Sequence, residues 1–147
     1  MSEHRVTVTW ERANEDFTYE AYSRSHTWEF EGGVEVPASA APAYRGDPER
    51  VDPEEAFVAA LSSCHMLTFL AIAARKRLVV DAYRDSAVGY LEENEAGKLA
   101  VTRVVLRPEV TFREPPSAEA LERLHHQAHE HCFIASSVKT DVRVEPA

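Results

Sequence analysis

The sequence predicts an α+β domain with a mainly antiparallel sheet. Apolar residues alternate with a period of two through the first third of the chain, which marks strands. Two helical stretches are separated by further β-rich segments. The resulting order, βββ–α–ββ–α–β, lacks the repeated strand–helix–strand units of a doubly wound parallel sheet. With 147 residues and no internal repeat, residues 1–147 read as one domain.

The strand signals open the chain. Val6, Val8 and Trp10 alternate with Thr7 and Thr9, Phe17–Tyr22 is a second β-rich segment, and His26–Phe30 a third. Gly32 and Gly33 mark a turn before a short strand at Val34–Val36, and Pro37 to Asp52 reads as loop. Asp52, Pro53 and Glu55 then form a helix start: an N-cap, a proline at the first helical position and an acidic residue three places on. This helix extends to about Lys76, and its apolar character on nearly every face predicts central burial. Two β segments follow, Val79–Leu91 and Leu99–Phe112, joined through Asn94–Lys98 as a hairpin. Pro115-Pro116-Ser117 caps a second helix, Ala118–His131, and a last strand spans Val138–Glu145.

Composition excludes several classes of function. Sixteen basic against 25 acidic residues give a net charge of −9, so nucleic acid and anionic membrane surfaces are poor partners. No GxGxxG or P-loop pattern supports a nucleotide-phosphate site. Ala56–Ala74 runs 19 residues without a formal charge, the length of a membrane span, but Ser62, Ser63, Cys64 and His65 in its middle favour a buried soluble helix. The first residues lack a signal-peptide pattern, which predicts a cytoplasmic protein.

The chemistry-bearing residues are two cysteines and a group of histidines. Cys64 lies in the first helix, and Cys132 ends the second on the face it shares with Leu121 and Ala128, so both thiols point inward. Each is by default a small core residue; two inward thiols on the only two helices suggest redox chemistry instead. His125 and His129 are spaced i,i+4, with His126 and His131 nearby and His65 beside Cys64. That spacing can hold a metal, yet there is no HExxH or CxxC, and each histidine reads by default as solvated or helix-terminal. Asp52 and Glu55 read as capping residues, and Arg24 by default as a strand-end charge where the second β segment meets the third.

Three segments together resemble the OsmC/Ohr family, named for osmotically inducible protein C and organic hydroperoxide resistance protein. VDPEEAFVAALSSCHM (51–66) is similar to the Pro-Glu-x-x-Phe-x-x-x-x-Ser-x-Cys segment that begins the family's central helix. YSRSHTWEFEGG is similar to the family's arginine and following glycine turn, and AHEHCFIASSV (128–138) to the region of its second cysteine. The chain departs from the pattern at Tyr22-Ser23, where glycines are usual, at Phe133-Ile134, where proline often follows the cysteine, and at His65. These departures suggest a divergent branch.

The resemblance implies a sheet wrapped around two helices in an intertwined homodimer. It also implies thiol-dependent reduction of organic hydroperoxides without metal or flavin, regenerated by a dithiol or lipoyl-type reductant. Carried over by motif, Cys64 would be the peroxidatic cysteine, Cys132 the resolving cysteine, Arg24 the guanidinium beside the reactive thiol and Glu54 its carboxylate partner. The physics suits these roles, because a thiolate is the attacking species and a permanent cation favours it. Phe57, Leu61, Leu67 and Phe133 would supply an apolar surround favouring organic peroxides. Glu54 and Cys64, ten residues apart on one helix, are separated by roughly 15 Å along its axis. They meet one guanidinium only if the helix breaks or Glu54 serves a partner's site, which predicts a homodimer with the active site at the interface. The alternatives are a metal-binding or redox-sensing dimer using Cys132 with His125, His129 or His131, and a non-catalytic binding dimer whose thiols only fill the core.

Overall fold

Val6, Thr7, Val8 and Thr9 form β1 (Val6–Thr9), which pairs antiparallel with β2 (His26–Phe30); β2 pairs in turn with β3 (Glu35–Ala38). The computed structural model describes residues 1–147, and the chain divides into two compact units, Met1–Ala56 and Phe57–Ala147. The turn between β2 and β3 depends on Gly33, whose φ of +85° is in the left-handed region. Its amide donates to the Phe30 carbonyl at 2.9 Å.

Two expectations for the first unit are corrected. Phe17–Tyr22 is not a strand but a tight turn, with the Ala21 and Tyr22 amides both donating to Thr18 O. Its aromatic residues fold onto one another: Phe17 packs on Trp10 and Tyr22 at centroid distances of 5.8 and 5.1 Å, and Trp10 Nε1 donates to Ser23 O. Local ring packing thus replaces a ladder. The short strand also starts one residue later and continues through Pro37 to Ala38, because Val51 returns to pair with it. Amides of Val51 and Ser39 bond to Pro37 O and Val51 O, which delivers the chain to the helix start.

The first helix, α1, spans Pro53–Arg75. The Glu55 amide donates to Asp52 Oδ1 at 2.8 Å, as an N-cap requires. Burial alone would raise the Asp52 pKa, but hydrogen bonds from Glu55 and Glu54 hold it below the ordinary carboxylate value. No glycine ends α1; Arg77 takes the left-handed conformation (φ 59°) while the Leu78 amide reaches back to Ala73 O.

In the second unit the two expected β segments each split. Val79–Leu91 becomes β4 (Val80–Asp85) and β5 (Val88–Glu93); Leu99–Phe112 becomes β6 (Leu99–Leu106) and β7 (Pro108–Phe112). Asp85 makes the division, accepting the Arg107 amide at 2.6 Å and the Ser62 hydroxyl at 2.5 Å. β4 pairs with β7, and the β5–β6 hairpin turns at Asn94–Gly97. Residues 118–131 form α2 (Ala118–His131), with the Ser117 hydroxyl accepting the Ala120 amide. The last strand is shorter than expected, β8 (Asp141–Val144), and runs parallel to β6.

The observed order is therefore βββ–α–ββββ–α–β, an α+β fold whose strands pair antiparallel except for β6 with β8, besides the isolated parallel bridge of Ala38 with Val51. One core joins Phe69 and Ala73 of α1 to Leu124 and Ala128 of α2; the other joins Leu61 to Val104 and Leu106 of β6. Burial of α1 on nearly every face does not occur within one chain. Only the i,i+4 stripe Leu61, His65, Phe69 and Ala73 is buried, while Ala59, Ala60, Ser63, Ala71 and Ala74 are exposed and Leu67 is 60% exposed. The apolar sequence of α1 exceeds what one chain can cover.

Candidate functional site

Cys64 lies mid-way along α1, one position before the buried stripe, and is therefore half-buried. Its own carbonyl accepts the Thr68 hydroxyl at 2.9 Å. Cys132 is the C-cap of α2 and only 1% exposed. Both cysteines are free thiols. Burial, reinforced by a side-chain hydrogen bond and charge repulsion from Cys64, pushes the Cys132 thiol above its ordinary pKa. The Ala135 amide, 3.5 Å from Cys132 Sγ, opposes that shift. Cys64 is thus close enough to Cys132 to affect its ionisation, and it is the more accessible of the two.

Arg24 lies in the loop before β2 rather than between two strands. Its guanidinium donates to Tyr22 O at 2.5 Å and Tyr19 O at 2.6 Å, and its Cζ stands 3.6 Å from the Tyr22 ring centroid. Tyr22, one of the two residues standing where glycines are usual, therefore forms one wall of the arginine's seat. Glu54, in the first turn of α1, forms no ion pair within the chain, and α1 continues unbroken from it to Cys64. Of the expected apolar surround, Leu61 and Phe57 belong to a core, whereas Leu67 and Phe133 are 60% and 83% exposed.

The histidines divide in a way the sequence reading missed. His126 and His131 are exposed, and His126 pairs with Glu130. His65 and His125 are instead buried and stacked, with rings 5.4 Å apart and nearly parallel and His65 Nε2 3.1 Å from His125 Nδ1. The signal was present: His65 continues the i,i+4 series of Leu61, Phe69 and Ala73, and His125 follows Leu124 on the packed face of α2. His65 Nδ1, His125 Nε2 and His129 Nδ1 are buried without partners. For the metal-binding alternative, no three His, Cys, Asp or Glu side chains, Cys132 and the histidines included, are grouped so as to hold an ion. A cleft of about 780 Å³ beside α2 is lined by Leu121, His125, His129, Val142 and Val144, but by neither cysteine.

The stacked pair sets a pH dependence. Burial, with the neighbouring His125 and His129, lowers the His65 pKa to about 4; burial lowers that of His125 to about 4 despite the opposing charge of Asp85. The unfolded chain then binds more protons than the folded one between about pH 4 and 6.5, so this stability is complete above 6.5 and lost as the pH falls. Denaturant titrations are expected to show a loss approaching ~1.4 kcal/mol per pH unit for each imidazole across that window. A His65→Gln/His125→Gln double variant should flatten the dependence; equal slopes in variant and parent would contradict it.

Residues 46–147 match the family described as OsmC-like protein. The chain belongs to the OsmC-like family. An OsmC-like protein of unknown function from Vibrio cholerae is 55% identical, with full coverage of both chains and a TM-score of 0.95. The same OsmC fold appears in an organic hydroperoxide resistance protein from Legionella pneumophila (17% identity, 100% and 98% coverage, TM-score 0.76). It appears again in the organic hydroperoxide resistance protein OhrB of Bacillus subtilis (19% identity, 99% and 98% coverage, TM-score 0.72). No curated protein matches the sequence. The α+β architecture, two helices with predominantly antiparallel sheets, is thus that of OsmC and Ohr structures.

Proposed function

We propose that this OsmC-like protein is a thiol-dependent peroxidase that reduces organic hydroperoxides to alcohols in oxidative-stress defence. The observation that carries the reading is the pair of free thiols, a half-buried Cys64 close enough to a buried Cys132 to affect its ionisation. Hydroperoxide resistance in proteins of the same fold supports it.

The Cys64 thiolate attacks the distal peroxide oxygen. A sulfur–oxygen bond forms as the O–O bond breaks, leaving an alcohol and a Cys64 sulfenic acid. Cys132 attacks that sulfur and expels water, giving a disulfide, which a dithiol or lipoyl-type reductant reopens by thiol–disulfide exchange. Arg24 would stabilise the thiolate, since its charge cannot be lost, and Glu54 would orient the guanidinium through paired hydrogen bonds. Catalysed consumption of tert-butyl or cumene hydroperoxide with a dithiol tests the reading; consumption no faster than by the dithiol alone rejects it.

The working form in this reading is a cytoplasmic homodimer with its active site at the subunit interface. Two features support a second copy: Glu54 lacks a cation in its own chain, and the outer face of α1 is exposed and apolar around Leu67. Leu67→Lys is expected to shift the sedimentation of the protein from dimer to monomer and to depress peroxide turnover with it. An unchanged sedimentation coefficient at micromolar concentration would place the interface elsewhere.

A further inference from the structure

Cleavage of a peroxide by a thiolate leaves charge on the departing oxygen, and an alkoxide is a strongly basic leaving group unless a proton meets it. Three polar side chains close to Cys64 in sequence are engaged elsewhere. The Ser62 hydroxyl donates to Asp85, the Thr68 hydroxyl donates to the Cys64 carbonyl, and His65 is turned into its stack with His125. Arginine does not give up its proton. The S–H of Cys132 is a donor close to the reactive sulfur.

We propose that Cys132 acts first as the general acid of the peroxide-cleaving step and only then as the resolving nucleophile. This inference rests on the peroxidase reading above. In the first step Cys64–S⁻, ROOH and Cys132–SH give Cys64–SOH, ROH and Cys132–S⁻: the O–O bond breaks, the S–O bond forms, and the Cys132 proton goes to the alcohol oxygen. In the second, Cys132–S⁻ attacks Cys64–SOH; the S–S bond forms and hydroxide leaves, taking a proton from solvent to become water.

Three features of the site fit this order. Burial of Cys132 and the proximity of Cys64 keep its thiol protonated while it waits. The Ala135 amide is placed to bond the Cys132 sulfur once its charge appears. The proton given up in the first step is also the one whose loss creates the nucleophile needed in the second, so no separate base is required.

The test is the dependence of the first step on the leaving group. Single-turnover oxidation of Cys64 is followed by stopped flow in the intact protein and in Cys132→Ala, with tert-butyl hydroperoxide, cumene hydroperoxide and peracetic acid. Peracetic acid expels acetate, which needs no proton. Cys132→Ala is expected to slow both alkyl hydroperoxides by about a hundredfold while leaving peracetic acid within twofold. Cys132→Ser, which retains volume and a weaker acid, should fall between. Equal rates for parent and variant with all three oxidants would mean that Cys132 only resolves, and equal slowing with all three would mean that the substitution merely disturbs Cys64. Either result overturns the proposal. Failure of the parent protein itself to react with any alkyl hydroperoxide would instead remove the peroxidase reading beneath it.

Discussion

Cys64→Ser is expected to lower dithiol-supported turnover of cumene hydroperoxide by at least about a thousandfold. Serine occupies nearly the same space in a half-buried helical position, so the fold should be unchanged. A hydroxyl, however, is scarcely ionised at neutral pH and is a poor nucleophile toward a peroxide oxygen. Mass spectrometry after one equivalent of peroxide adds a second readout: the parent should acquire the Cys64–Cys132 disulfide, and the serine variant should remain unmodified. Retention of more than a tenth of the parental rate would assign the chemistry to another group.

Phe69→Ala should produce the largest loss of stability, about 3–5 kcal/mol. Phe69 is fully buried in the core that joins α1 to α2. Its ring lies 4.5 Å from the His125 ring, 5.6 Å from Tyr83 and 6.3 Å from Phe112. Removal leaves a cavity bounded by both helices and β4 and β7, and it strips the apolar cover from a stacked imidazole. Because a domain's whole stability is typically about 5–15 kcal/mol, urea unfolding should shift its midpoint strongly. A loss below about 1 kcal/mol would show that the site collapses onto the vacancy.

Local chemistry made much of the fold readable. Asp52-Pro53 and Ser117 announce both helix starts because capping depends on residues adjacent in sequence. Gly33 announces its turn for the same reason. Phe17–Tyr22 misled because aromatic residues favour strands but here find one another first. The divisions at Asp85 and Arg107 were hidden because they depend on a contact between residues 22 apart.

The site was partly readable. The helical position of Cys132 predicted a buried sulfur, which the structure shows, whereas Cys64 lies one position off the buried stripe of α1 and is only half-buried. The burial of His65 and His125 was within reach of the same spacing argument but was outweighed by the usual solvent preference of histidine. The seat of Arg24 was not, since backbone carbonyls, which no sequence displays, hold its guanidinium.

The position of Cys132 at the very end of α2 bears on how the chain would accommodate the oxidation proposed above. An interior helical residue is tied to the backbone ladder on both sides, so shifting its sulfur means straining a full turn. The Cys132 amide makes a single long bond, 3.3 Å, to His129 O, and extended backbone begins at that residue (φ −71°, ψ 115°). The covalent tether to α1 that the proposed cycle requires would strain one residue and the short 3₁₀ turn after it, Ala135–Ser137, rather than a full helical turn.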